Sequence, residues 1–222
     1  MTTVSEAIKK RHSVRAFKDR DVDIDTVKSI IQIAKQSPSG VNTQPWNVYV
    51  LSGDARDKLV NEATSRYDQG KMDGQEYLVY PKEMPDWYKE RRRAVGWAMY
   101  GAIGIEKGDT EKMMAQGRKN YEFFGAPVGI FITVKNCVGP NGWGHVGHFI
   151  QNVCLLAIEN GLATCLQEAW AELPKLVREH VDYPEDETLW CGIALGYEDE
   201  TDPVNQFRTE REDLENFSKF FK

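Results

Sequence analysis

The chain has 222 residues, 28% of them charged and 41% hydrophobic, with a formal net charge of −6. Such a length can bury a substantial core as one ordinary globular domain, and the acidic balance excludes a nucleic-acid binder, which needs a basic face to displace counterions. The start, Met1-Thr2-Thr3-Val4-Ser5-Glu6, lacks the apolar stretch of a signal peptide, and no apolar run approaches the roughly 18 residues of a membrane span.

Residues 4–11 place Val4, Ala7, Ile8 and Arg11 on one stripe and predict a short helix whose end delivers Arg11. Asp23 reads as the N-cap of a second helix, with Ile24, Val27, Ile30, Ile31 and Ala34 at helical spacing, and Pro38 stops it by Ser37. A β-rich run at 47–51 and a helix over 55–67 follow. From 68 to 86 the chain is polar and punctuated by Gly70, Gly74, Pro81 and Pro85, an irregular insertion.

Further helices are predicted over 87–100 and 110–123, and a buried strand over 128–134. The stretch 145–159 is apolar nearly all round with Gly161 just beyond it, as in a central helix closed by glycine. Residues 162–166 and 189–195 read as central strands. From Glu198 to Glu215 eight acids outnumber two arginines, and the polar tail ends in Phe217-x-x-Phe220-Phe221. Those aromatics would either wrap another chain or fold back on their own domain. The four cysteines, Cys137, Cys154, Cys165 and Cys191, lie far apart in apolar surroundings, which indicates buried thiols in a reducing, cytoplasmic compartment.

Two stretches carry chemistry. Arg11-His12-Ser13-Val14-Arg15 sets two guanidiniums and a hydroxyl within five residues, inside a segment from Glu6 to Arg20 with a local balance of +4. A positive island in an acidic protein draws an anion, and arginine's donor fork suits a phosphate. Ser37-Pro38-Ser39-Gly40-Val41-Asn42-Thr43-Gln44-Pro45-Trp46 is a turn of small residues and side-chain amides that brings backbone N–H groups close to a flat polar ligand. Together they indicate a phosphorylated heteroaromatic cofactor, held by charge at one end and by amides along its ring. Three other features are plainer. His145 and His148 stand one helical turn apart without a third ligand at a metal-site spacing, so no metal is expected. Arg91-Arg92-Arg93 reads as a solvated helix face. No Gly-x-Gly-x-x-Gly follows a strand, so no separate nicotinamide module is evident.

With Phe123-Phe124-Gly125-Ala126-Pro127, the run from Gly161 to Trp170 and the run from Pro203 to Arg211, these motifs make the chain resemble the flavin-dependent nitroreductases over nearly its whole length. The resemblance implies an α+β fold with a mixed central sheet surrounded by helices, built as an intertwined homodimer. It implies one domain over 1–222, with a lid inserted at 68–105 and a dimer-wrapping tail at 201–222. FMN would be the cofactor and NAD(P)H the electron donor. The acceptor would be a nitroaromatic or a quinone, with donor and acceptor taking turns on one flavin face.

By the same resemblance, Arg11 and Ser13 grip the phosphate, His12 between them belongs to the cofactor-binding set, and Arg15 lies at the pyrimidine end, where a fixed cation favours the reduced flavin. In the element formed by Pro38, Ser39, Gly40, Asn42 and Gln44, which binds the cofactor, the Pro-Ser-Gly part caps the flavin from the neighbouring subunit. Leu166, Gln167, Glu168 and Ala169 run along the ring, and Arg208 or Arg211 reaches back to the phosphate. Surface ion pairs are the competing role for those last two arginines. Tyr121, Phe123 and Phe124 are expected to line the substrate pocket. No side chain is required as an obligate acid or base. Three other outcomes stay open at this point: reductive dehalogenation, oxygen-dependent flavin breakdown, and a flavin-binding protein without turnover.

Overall fold

The structure, a computed structural model, describes residues 2–222. In chain order its elements are α1 (Val4–Lys10), α2 (Ile24–Ala34), β1 (Trp46–Ser52), α3 (Gly53–Asp68), α4 (Asp86–Ala102), α5 (Thr110–Arg118), β2 (Val128–Lys135), α6 (Pro140–Glu159), β3 (Ala163–Gln167), α7 (Pro174–Val181), β4 (Glu187–Gly196) and α8 (Leu214–Phe217). The strands form one sheet in the order β1-β2-β4-β3, every neighbouring pair antiparallel. Its mixed character is confined to a single parallel bridge, where Ser13 lies beside Thr164 on the outer edge of β3.

Period-two alternation divides the core between the two faces of the sheet. Val128, Ile130, Ile132 and Val134 of β2 join Ile193 and Leu195 of β4 against Val27 and Ile30 of α2 and Phe149 and Val153 of α6. The opposite face gathers Phe131, Leu189 and Ala194 with Leu59, Phe123, Trp170 and Leu176. Leu189 falls out of step with Ile193 because β4 carries an extra residue. Ile132 pairs with Cys191 and Thr133 with Leu189, so Trp190 is a β-bulge.

Asp23 caps α2 as the sequence predicts, its side chain accepting from the Asp25 N–H, and the helix ends at Ala34. In α1 a Thr3–Glu6 capping box satisfies the first turn. Of that helix's predicted apolar stripe only Ala7 is buried, against α6; Val4 and Ile8 face outward.

The predicted helix over 110–123 is interrupted. Regular turns stop at Arg118, and a tight 3₁₀ segment over Lys119–Gly125 contains Phe123 and Phe124 at φ of 52° and 53°. Left-handed backbone is costly for aromatic residues. It persists here because it drives both rings into the core, where Phe123 stacks on Trp170 at 4.8 Å between centroids and lies directly under Gly129. An added Cβ at Gly129 would come within 2.4 Å of that ring, so the strand needs glycine there.

Below α3 the sheet buries one carboxylate. Glu187 accepts from Tyr49 Oη at 2.9 Å and from the Thr133 hydroxyl, and pairs with Lys135 Nζ at 3.1 Å. Burial, reinforced by that carboxylate, pushes the Tyr49 phenol up to about 12. The insertion after α3 is tied down by Tyr77, whose hydroxyl donates to the Trp190 carbonyl at 2.5 Å. Beyond it, α4 buries no residue, and Trp87 and Trp97 remain exposed. The tail likewise leaves Phe217, Phe220 and Phe221 in solvent, at 68%, 77% and 91% exposure. Among the described residues no helix is long and apolar enough to cross a membrane.

Candidate functional site

The segment 11–18 runs along the free edge of β3. The Val14 N–H donates to the Thr164 carbonyl at 3.1 Å and the Lys18 N–H to the Tyr197 carbonyl at 2.9 Å, so the segment is laced to the sheet at both ends. Between them Asn205, fully buried, accepts from the Arg15 N–H through Oδ1 at 2.8 Å. Its Nδ2 donates to the carbonyls of Ala16 and Asp199. One amide thus locks the arginine segment to the turn that begins at Asp202.

Apart from the exposed Lys9 and Lys10, the charges of the positive island sort into two classes. His12 meets Glu198 at 3.0 Å, Lys18 meets Glu200 at 2.5 Å, and Arg20 lies 3.8 Å from the Tyr197 ring centre. Arg11 and Arg15 are half-buried, and among the described residues neither has a carboxylate partner. Arg15 donates only to the Ser13 carbonyl, at 3.2 Å. Both guanidiniums lie near the Cys165 thiol. Burial pushes that thiol up to about 11, and the two positive charges and the Ser13 hydroxyl only partly offset the burial. Two half-buried cations without a counter-charge are an anion site in the physical sense, since desolvation without a partner is costly. His12, by contrast, spends its ring nitrogens on Glu198 and the Lys10 carbonyl. The structure therefore engages its side chain in that ion pair.

At the far end of β3, Gln167 is buried; its Nε2 donates to the Asn120 carbonyl at 2.6 Å, while Oε1 has no partner among the described residues. An orphaned acceptor on the strand whose edge carries two unpaired cations suits a ligand that brings both an anion and N–H donors. Leu166 is exposed, and Glu168 and Ala169 open the 3₁₀ turn Glu168–Glu172. Desolvation raises the Glu168 carboxyl above its ordinary range although the residue keeps much of its surface.

Tyr121, Phe123 and Phe124, expected to line the substrate pocket, turn into the core of this chain. All three are buried in the second core. Their work is support: the Tyr121 hydroxyl donates to the Ala169 carbonyl at 3.2 Å and so holds the 167–169 segment from behind. Phe124→Ala is accordingly expected to cost about 3 kcal/mol of stability, as for other buried aromatics. The ratio of kcat/KM between two acceptors should stay unchanged. Urea unfolding and paired steady-state assays check both halves.

The loop of Pro38, Ser39, Gly40, Asn42 and Gln44 sits elsewhere. Val41, Asn42 and Gln44 all have positive φ, and Val41 is 97% exposed. The loop hangs on the N-terminal half of α6 through His145 and His148, whereas Arg11 acts on Cys154 further along the same helix. At 1.5 Å per residue His145 and His148 stand about 14 and about 9 Å along the helix from Cys154. Among the described residues no hydrogen bond joins the two groups.

Arg208 donates to the carbonyls of Asn205 and Phe207, and Arg211 to carbonyls of its own loop and the Thr209 hydroxyl. Neither makes an ion pair among the described residues, despite the acidic sequence around them. Both border a groove between α4 and the tail, together with Tyr80, Trp87 and Arg92. Arg208 alone touches the Asn205 turn that holds Arg15. Sequence reading missed Asn205, whose signal was its place between two arginine-bearing segments. It also read the His145–His148 pair only as a possible metal clasp.

A model of the Nitroreductase family matches residues 8–197. Among known proteins the chain is 35% identical over 218 residues to 4-nitrobenzoate reductase of Nocardioides sp. (strain LMS-CY), covering 96% of this chain and 87% of that one. It is 32% identical over 219 residues to nitrobenzene nitroreductase of Ectopseudomonas oleovorans, covering 98% and 96%. Its fold superposes with a TM-score of 0.94 on the FMN and NADPH-dependent nitroreductase NfnB of Sphigopyxis sp. strain HMH, at 37% identity over 99% of both chains.

Proposed function

This chain belongs to the nitroreductase family, and on that premise we propose how its residues perform the reaction. It is an FMN-dependent NAD(P)H oxidoreductase acting on nitroaromatic compounds. FMN when bound supplies the redox chemistry, taking hydride from NAD(P)H and passing electrons to the nitro group. The observation that carries the residue-level reading is the pair Arg11 and Arg15, half-buried and without a carboxylate partner on the edge of β3.

Arg11 and the Ser13 hydroxyl would hold the FMN phosphate, and Arg15 the pyrimidine end of the ring. Arg208, rather than Arg211, is the second phosphate arginine, supported by its contact with the Asn205 turn. Gln167, Glu168 and Ala169 would follow the ring edge, with the orphaned Gln167 Oε1 open to an N–H donor. The loop from Pro38 to Gln44 would cap the flavin of a second copy, which makes the working form a homodimer. The exposed Phe217, Phe220 and Phe221, and the separation of the loop from the arginines, support that assembly. The segment 68–105 would serve as the lid, supported by the absence of buried residues in α4. A cytosolic setting fits four free thiols.

With one cofactor cradle, donor and acceptor alternate, so initial-velocity plots against NADPH at several nitrobenzoate concentrations are expected to be parallel. The purified protein is expected to be yellow, to release FMN on heating, and to bleach with NADPH and recover its colour with nitrobenzoate. A colourless protein from riboflavin-replete cells would overturn the proposal.

A further inference from the structure

Three residues of the loop that follows α2 are gripped by one face of α6. The Gly40 N–H donates to His145 Nε2 at 3.0 Å, and His148 Nδ1 lies 3.3 Å from the Pro38 carbonyl oxygen. Asn152 Nδ2 donates to Ser37 Oγ at 2.7 Å, and that hydroxyl donates in turn to the Ala34 carbonyl at 2.6 Å. His145, His148 and Asn152 stand at i, i+3 and i+7, the spacing that brings side chains onto one stripe of a helix. The roles of the ring nitrogens follow from their partners. His145 must offer a bare Nε2 to an N–H donor, and His148 must carry its proton on Nδ1 to meet a carbonyl.

The loop needs such a grip. Val41, Asn42 and Gln44 hold left-handed backbone, a conformation that persists only where the surroundings over-determine it. Inside the loop, the Gln44 N–H donates to Ser39 Oγ at 3.0 Å and the Gln44 side chain to the Asn42 carbonyl at 3.2 Å. These bonds shape the loop but leave its position on the molecule to α6. Gly40 is part of the fit, since a Cβ there would stand 3.0 Å from His145 Nε2.

We propose that His145 and His148, backed by Asn152, are positioning residues that hold the strained loop from Ser37 to Gln44 in the shape that covers FMN. This rests on the reading that the loop caps the cofactor. Neither histidine touches the reacting atoms; each acts through the backbone it holds. The imidazole of His145 matters as an acceptor rather than as a base or a metal ligand.

The test compares His145→Phe, a ring of similar size without an acceptor, with His145→Gln, whose Oε1 can replace Nε2, in the FMN-loaded protein as purified. Two quantities are read. One is FMN affinity, from the return of flavin fluorescence on dilution. The other is amide exchange of the peptide spanning 37–45. His145→Phe is expected to weaken FMN about tenfold and to speed exchange in that peptide at least tenfold, with His145→Gln within about threefold of the parent in both. His148→Phe is expected to fall between them. If His145→Gln is as impaired as His145→Phe, the acceptor role is wrong and the ring merely fills space. If exchange quickens while FMN affinity stays at the parental value, the latch does not serve the cofactor, and the proposal falls. A parent protein that retains no FMN at all would instead sink the underlying reading of the site.

Discussion

Replacing Arg11 and Arg15 together with alanine is expected to weaken FMN binding by on the order of 10²- to 10⁴-fold. A hydrogen bond to a charged group contributes roughly 1.5–3 kcal/mol, two such anchors give about 3–6 kcal/mol, and each 1.4 kcal/mol is about tenfold in affinity. The expectation rests on the environment of the two side chains. Lys9 and Lys10 are exposed, and the other neighbours in the positive island are already engaged, His12 by Glu198, Lys18 by Glu200 and Arg20 by the Tyr197 ring. Arg20→Ala is therefore the matched control and should change FMN affinity less than threefold. Titrating the apoprotein with FMN by fluorescence quenching measures both. Because the unpaired cations are costly to keep half-buried without a ligand, the double variant should also be no less stable as apoprotein than the parent. A double variant that still binds FMN as the parent does would remove the phosphate from this edge of the sheet.

The second large effect concerns the support rather than the anchor. Trp170→Ala is expected to lower stability by about 3–5 kcal/mol, the range for removing a buried large aromatic. Trp170 is fully buried among Phe123 at 4.8 Å, Phe131 at 5.1 Å and Tyr121 at 5.3 Å between ring centres. Strand β4 crosses over it so closely that a Cβ at Gly192 would meet the indole at 2.4 Å. Neighbours held that tightly cannot collapse far into the vacated space. The indole N–H, however, has no hydrogen-bond partner among the described residues. Trp170→Phe removes that unsatisfied donor while keeping most of the ring contacts, so it should cost less than half as much as the alanine change. Urea unfolding of the two variants gives the comparison. Since Trp170 lies in the turn that begins at Glu168, the alanine variant should also lose FMN more readily, whereas the phenylalanine variant should not.

Much of the fold was legible because its signals are local. The Asp23 cap, the Pro38 stop and the apolar run at 128–134 each record a short-range requirement of helix or strand. The arginine island was legible for the same reason, its charges being close in sequence. What escaped was decided by partners far along the chain. Nothing near Phe123 and Phe124 announces left-handed backbone; it is favoured by Trp170 and Gly129, which the sequence does not set beside them. The same two rings look like pocket lining in a one-dimensional reading because aromatics suit both roles, and only burial separates them. Asn205 is one polar residue in an acidic stretch until Arg15, Ala16 and Asp199 are seen around it. His145 and His148 were visible as a pair, but their spacing on a helix says nothing of the loop they hold.

The bulge in β4 has a consequence for how the long excursion after α3 is tethered. An additional residue leaves one peptide unit outside the regular ladder, and the Trp190 carbonyl is the one Tyr77 uses. Every amino acid carries that carbonyl, so exchanging the indole for another side chain spares the mooring. Deleting the position would let the strand run straight with its cross-strand partners unaltered, and the mooring would vanish. The attachment is thus encoded in a count of residues, not in their kind.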